Sequence, residues 1–518
     1  LNALAHNSNV SVSDGNLEFT KVNAGWDNAR STIGMSSGKW YCEVVVQTGT
    51  FCHCGILKDT TGPDQFVGQD ATSWGYSQDG GKYNNSVRTT PYGDTFTTGD
   101  LIGIAFDADA GDLYFYKNGV VQNSGTAAYT GLTDGPYFFA TSASGSGQVH
   151  IFNFGQRPFT YTPPTNYVSL CTQNLSDPTI ADGSTEFDVI TATGTAADRT
   201  FTMPGGFGPD LVWAKERNGA TNHALFDTLR GATKRLVSNS TQAEDTQANQ
   251  LKSFTSTGFT YGSDIPNNTS QTGVYWCWDA GDTTTTVAKD ANGTNLPGAT
   301  CEYRANTTNG FSVVKVDDPQ SNEARVHGLG VAPDFFICKS TASADSWHTY
   351  WKVLGRTYYI NLNGTGGATS SDQFGSQEPD STYFYVKANT GSGANKAGGM
   401  VYYLWSAVDQ YSAFGSYTGN GLDDGTFVFT GFKIAYLLIK QSSGSNAWIV
   451  WDNARQDYNV QGPYLQPQDT TTEGDADYVD FLSNGFKWRT TNGAMNASGA
   501  TYLYAAFAEH PFKTARAR

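Results

Sequence analysis

Three times between residue 185 and the C-terminus the sequence repeats one series of landmarks, and this constrains the fold more than any other feature. Each copy has an apolar strand ending in lysine: Leu211 to Lys215, Phe335 to Lys339 and Leu437 to Lys440. The first two are introduced by Pro209-Asp210 and Pro333-Asp334. An aromatic-centred strand follows (Leu225-Phe226-Asp227, Tyr350-Trp351-Lys352, Val450-Trp451-Asp452), then a turn leading to Phe259, Phe384 and Phe486. Each copy ends in an aromatic strand, beginning at Tyr275, Tyr403 and Tyr502. A copy has the length of one β-sandwich, not the ~20–50 residues of a solenoid repeat. The expectation is three tandem sandwiches, strung as a long beaded object.

The rest of the sequence agrees with an all-β chain. Aromatics make up 14% of 518 residues and Gly is abundant, whereas charged residues are only 15%, against ~25% in an average soluble protein. So much aromatic surface excludes disorder. The net charge of −16, with no basic block, argues against nucleic-acid binding. No apolar run approaches the ~20 residues of a membrane helix. The chain opens on Leu1 without a basic-then-apolar signal, and more sequence is expected before it.

Residues 38–154 read as short strands at regular spacing, with Asn118-Gly119 marking a hairpin. Six pieces follow one another here: Gly38-Lys39-Trp40-Tyr41-Cys42-Glu43-Val44, Gly55-Ile56-Leu57, Trp74-Gly75-Tyr76-Ser77, Gly99-Asp100-Leu101-Ile102-Gly103, Leu113 to Gly119, and Phe152-Asn153-Phe154-Gly155. In this order they resemble the SPRY family, which implies a β-sandwich binding module, not an enzyme, that meets its partners through end loops. The expected division is 1–160 SPRY-like sandwich, 161–184 linker, 185–280 first copy, 281–302 linker, 303–410 second copy and 411–518 third copy.

The copies carry a resemblance of their own. Phe226 to Lys234, Gly415 to Gly421, Leu482 to Lys487 and Ala505 to Phe512 are similar to uncharacterised modules of marine tailed-phage structural proteins. That resemblance implies a virion tail-fibre or receptor-binding protein, made in the host cytoplasm and carried on the tail or particle surface. Its implied partners are other virion proteins and a host surface glycan or protein, with a homotrimer by family habit and no nucleic acid or membrane insertion. A capsid-surface decoration protein and a glycan-binding secreted adhesin are the alternatives, with a polysaccharide-degrading tailspike behind them.

Little in the sequence promises catalysis. Gly34-Met35-Ser36-Ser37-Gly38 fits the serine-hydrolase elbow as a string, but a strand rather than a helix is expected after it. Cys52-His53-Cys54 has metal-like composition, but its two thiols are expected on opposite faces of a strand. Asp107 to Asp112 reads as an acidic hairpin, since Asn118 stands where a calcium loop needs Glu. Asp227 and Asp452 share a repeat position at which the middle copy has Lys352. They are expected to be structural ion pairs, with Lys215 and Lys440 to hand, although Lys339 and Lys352 together break the pattern. No catalytic residue, metal or cofactor is therefore assigned, and the protein is expected to be non-enzymatic. Aromatic faces stack on sugar rings, which makes Tyr83 and Tyr92, beside Asn84 and Asn85, the expected ligand-binding residues on a loop.

Overall fold

The structure, a computed structural model, describes residues 1–290, 297–317, 324–387 and 393–515. It is all-β, with three short 3-10 turns and no α-helix among the described residues. The chain divides into two units, Leu1–Asp177 and Pro178–Arg518.

The first unit is a sandwich of two antiparallel sheets. One is built around Lys39–Thr48, between Val149–Asn153 and Leu101–Asp107; the other around Cys52–Lys58, between Tyr137–Ala143 and Ser73–Ser77. Strand alternation sends Trp40, Cys42, Val44 and Val46 inward from the first sheet, to meet Cys52, Cys54 and Ile56 from the second. This corrects the expectation for the two thiols. Residues two apart share a face, so Cys52 and Cys54 both enter the core, and His53 between them points out through the other side of the sheet.

In the second unit each copy is two-layered. Copy 1 sets the sheet containing Leu211–Glu216 and Thr272–Trp278 against Arg199–Thr202, Gly258–Tyr261 and Leu251–Thr255. Copies 2 and 3 do the same with the sheets of Phe335–Ser340 and Phe432–Gln441. Alternation divides the labour: Val212 and Ala214 fill the sandwich of copy 1, whereas Leu211 and Trp213 leave it and enter a second core shared by all three copies. Phe336 and Cys338 against Phe335 and Ile337 repeat this in copy 2.

The copies are thus not beads on a string; they close into a ring. Trp278, Trp405 and Phe507 pair with Leu211, Phe335 and Tyr436 and are equivalent by register. Their rings meet at 5.9, 5.8 and 6.4 Å, each touching the other two, and so mark the centre of the ring. Each copy is also laced to the next by one recurring backbone bond: Glu244 N–H to Thr341 O at 2.9 Å, Ala368 N–H to Ser442 O at 2.8 Å, and Glu473 N–H to Arg217 O at 2.8 Å. The last of these joins copy 3 back to copy 1.

The strand-ending lysines lie at these seams, 0–1% exposed. Lys339 Nζ donates to Ser340 O, Ser343 O and, across the seam, Thr241 O at 2.9, 3.2 and 3.3 Å. Lys440 Nζ reaches Gln441 O and, across its seam, Thr365 O at 2.8 and 3.0 Å. Neither meets an aspartate. The register also places Trp351, not Lys352, opposite Phe335, so Trp351 is the middle-copy equivalent of Asp227 and Asp452. The two aspartates pair with Arg230 and Arg455 of their own copies, at 2.5 and 2.7 Å and almost fully buried. Tyr403 Oη and Trp276 Nε1 donate to them from the neighbouring copy, both at 2.8 Å. The segment 281–302, expected to be a linker, instead supplies the strand Thr285–Val287, which pairs with Cys301–Asn306; residues 291–296 of that segment lie outside the described residues.

Candidate binding surface

The outer face of the second SPRY-like sheet carries the candidate site. It begins with His53, turned outward by alternation along Cys52–Lys58. The imidazole is 4% exposed and its Nδ1–H donates to Val67 O at 3.0 Å. Burial pushes its pKa down to about 4, so the ring is neutral and its tautomer is set by the carbonyl.

Three half-buried aromatic rings surround it. Trp26 approaches His53 at 5.0 Å and Phe66 at 5.1 Å; Tyr83 approaches them at 4.8 and 5.8 Å. The loop bearing Phe66 can lie this close because of two glycines. A Cβ on Gly75 would stand 2.1 Å from Val67 O, and one on Gly68, whose φ is +107°, would stand 2.6 Å from the Cβ of Tyr83. The outcome is a part-exposed aromatic platform on a rigid sheet.

Tyr83 sits in a small hairpin, Lys82–Asn84 with Val87–Thr89, at the sheet edge. Its turn residues Asn85 and Ser86 have φ of +52° and +59°, the two positive values of a type I′ turn. Asn84 Nδ2 is spent on Ser73 O at 2.9 Å, whereas the Asn85 side chain is exposed. Beside them Asp79 and Arg88 pair at 2.8 Å in the open, and Tyr83 Oη donates to Asp79 at 3.4 Å.

The expected ligand residues therefore separate. Tyr83, Asn84 and Asn85 lie together at the platform, but Tyr92 does not. It is 5% exposed, with its ring 5.4 Å from Tyr76 and 6.1 Å from Phe115 in the sandwich core. The flanking Thr90, Pro91 and Gly93 read as loop in the sequence, yet the tyrosine between them is drawn inward. Trp26 and Phe66 escaped the sequence reading because neither lies in a strand-like run; their only signal is an aromatic placed among loop residues.

Nothing at the platform pairs a nucleophile with a base, and no group of three or more His, Cys, Asp or Glu suited to a metal occurs among the described residues. Ser36 is exposed in a bend and leads into the strand Lys39–Thr48, not a helix. The arrangement offers stacking and hydrogen bonding, which is the equipment of a binding surface.

Comparison with known proteins places both units. Residues 39–157 match the SPRY domain family, so the N-terminal unit is a SPRY β-sandwich. Residues 182–511, well over half of the chain, match the family described as domain of unknown function DUF7483, and the chain belongs to that family. Among curated relatives, the probable ATP-dependent RNA helicase ddx1 of Dictyostelium discoideum is 33% identical over 134 residues, which is 26% of this chain and 16% of that protein. Ran-binding protein 9 of Xenopus tropicalis is 33% identical over 166 residues, 30% of this chain and 29% of that protein. The chain thus spans less than a third of the length of these relatives. Among solved structures, the SPRY domain of human HERC1 is 20% identical, covers 29% of this chain and 94% of its own, and has a TM-score of 0.26.

Proposed function

We propose that the protein is a non-enzymatic virion component of a tailed phage, a tail-fibre or receptor-binding protein whose SPRY unit contacts the host cell surface. The observation that supports contact is the platform of Trp26, Phe66 and Tyr83, held rigid by His53 and the glycine-permitted loop. The assignment to a particle rests on the resemblance of the three copies to phage structural modules. On this reading the partners are a host surface glycan or protein and neighbouring virion proteins, in a homo-oligomeric, trimeric arrangement. Several weak sites per particle act together, raising avidity by ~10²–10⁴-fold without a tight single site.

Cryo-electron microscopy of the native assembly tests this. Symmetric copies of the chain projecting from a tail or capsid are expected. A chain recovered free of any particle overturns the reading.

A further inference from the structure

The ring breaks its threefold repetition at the seam between copies 1 and 2. There the strand Phe311–Val316 carries two extra strands, Cys301–Asn306 and Thr285–Val287, whereas its equivalents Phe187–Thr193 and Ser412–Thr418 end their sheets. The addition carries Arg304 across to copy 1. Its Nη1 donates to Asp210 Oδ1 at 2.8 Å and its Nε to Thr284 Oγ1 at 2.9 Å, while Nη2 meets no protein acceptor among the described residues. In copy 2 the equivalent Asp334 is paired by Lys352 of its own copy at 2.8 Å, so no arginine is imported there.

Beside Arg304 opens a cleft of about 350 Å³, within the range of small-ligand sites. Its walls include Phe254, Thr255, Ser256, Thr228 and Asp282. We propose that this cleft is a saccharide subsite that takes one neutral pyranose unit. The half-buried Phe254 ring supplies the apolar surface on which a sugar's C–H face stacks. Arg304, pinned at two nitrogens with the third unengaged, supplies a pre-oriented donor, and the exposed Asp282 supplies an acceptor. Ser256 and Thr255 add hydroxyls that both donate and accept. Arg304 is outnumbered by Asp210 and Asp282, so an acidic sugar meets net repulsion and the class is neutral. The subsite is independent of the SPRY platform.

Saturation-transfer NMR on the full chain tests it, with glucose, galactose, mannose and N-acetylglucosamine as probes and glucuronic and N-acetylneuraminic acids as counter-probes. At least one neutral sugar is expected to bind, about tenfold more weakly with Phe254→Ala and with the surface change Asp282→Asn, and unchanged with Tyr83→Ala. The proposal is overturned if no neutral sugar binds or if the acidic sugars bind as well. It is equally overturned if binding survives both cleft variants or follows Tyr83.

Discussion

Arg217 and Glu473, 256 residues apart, form a two-pronged ion pair, with Nε to Oε2 at 2.8 Å and Nη2 to Oε1 at 2.7 Å. The same carboxylate takes Nη1 of Arg455 at 3.1 Å. Glu244 holds the matching place in copy 1, but the residue across its seam is the uncharged Thr341, met through its backbone carbonyl. At this position the ion pair therefore stands where copy 3 meets copy 1, whereas copies 1 and 2 are joined by a different pair, Arg304 with Asp210.

Glu473→Ala should accordingly weaken the second unit. It takes from the buried Arg455 one of its two carboxylates, leaving Asp452 and the Val450 carbonyl, and strips Arg217 of its ion partner, an expected loss of about 2–4 kcal/mol in urea unfolding. Lys352→Ala, which breaks an exposed pair, should cost under ~1 kcal/mol. Equal effects would contradict the role assigned to this seam.

The shared core predicts that the three copies unfold together. Phe507→Ala removes one corner of the central triangle and should cost about 3–5 kcal/mol. Thiol labelling of Cys277 in copy 1 and Cys338 in copy 2, both buried, reports on the two unmutated copies. Both should become reactive at the same, lowered denaturant concentration; a shift confined to copy 3 would mean independent folding.

Lys339→Met should destabilise the ring even though it removes a buried charge. The carbonyls of Ser340 and Ser343 lose the ammonium as donor, and that of Thr241 keeps only the Asp345 N–H at 2.8 Å, at about 1–3 kcal/mol for each group left unsatisfied. Burial pushes the lysine pKa down to about 8. Between that value and the ordinary ~10.4 the unfolded chain holds a proton that the folded chain has released, so this lysine makes stability rise with pH. The stability difference between wild type and variant should therefore widen between pH 8 and pH 10, and a constant difference in urea titrations would refute it.

Acid should weaken the SPRY unit. His53 and His150 are buried as neutral rings, with burial pushing their pKa values down to about 4 and about 3. As pH falls below the unfolded value of ~6.5 the unfolded chain gains protons that the folded one refuses, and stability drops by up to ~1.4 kcal/mol per pH unit for each ring. His150→Gln should halve that slope between pH 6 and pH 4.5, read by urea midpoints of this unit.

The two tyrosines chosen from sequence should part company on mutation. Tyr92→Ala empties a core site against Tyr76 and Phe115 and should cost about 3–5 kcal/mol. Tyr83→Ala should leave the fold nearly intact and lower binding to a host-surface preparation about tenfold. Loss of stability without loss of binding in Tyr83→Ala would remove the platform from the contact.

What could be read from the sequence was set by local chemistry. Strand alternation and the SPRY pieces place the first sandwich, and the recurring lysines mark true equivalents, since Lys215, Lys339 and Lys440 pair with Val274, Val401 and Leu503. The aromatic strand after them falls one residue out of step in the middle copy when the copies are aligned by sequence, with Lys352 in the place that belongs to Trp351. His348–Trp351 carries no acid to anchor the alignment, and only the ladder with Phe335 fixes it. The ring was hidden for a different reason. An apolar residue facing its own sandwich and one facing a shared core look alike in sequence, so Leu211 and Val212 give no hint that they serve two interiors. At the platform, Tyr83 is legible as an aromatic beside Asn84 and Asn85, although it stands in a small hairpin and not on the loop expected, whereas Trp26 and Phe66 are brought in by loop geometry that depends on Gly68 and Gly75.

The recurring backbone bond carries one more consequence. A circle sewn by the same stitch at each join has no privileged starting point, and Gly183 already lies against the Ala508 carbonyl, so the two ends of the circle are neighbours. A rearranged gene that runs copies 2, 3 and then 1 through a short connector should still fold to the same object. The order in which the copies are translated is then a matter of history, and the arrangement itself belongs to the seams.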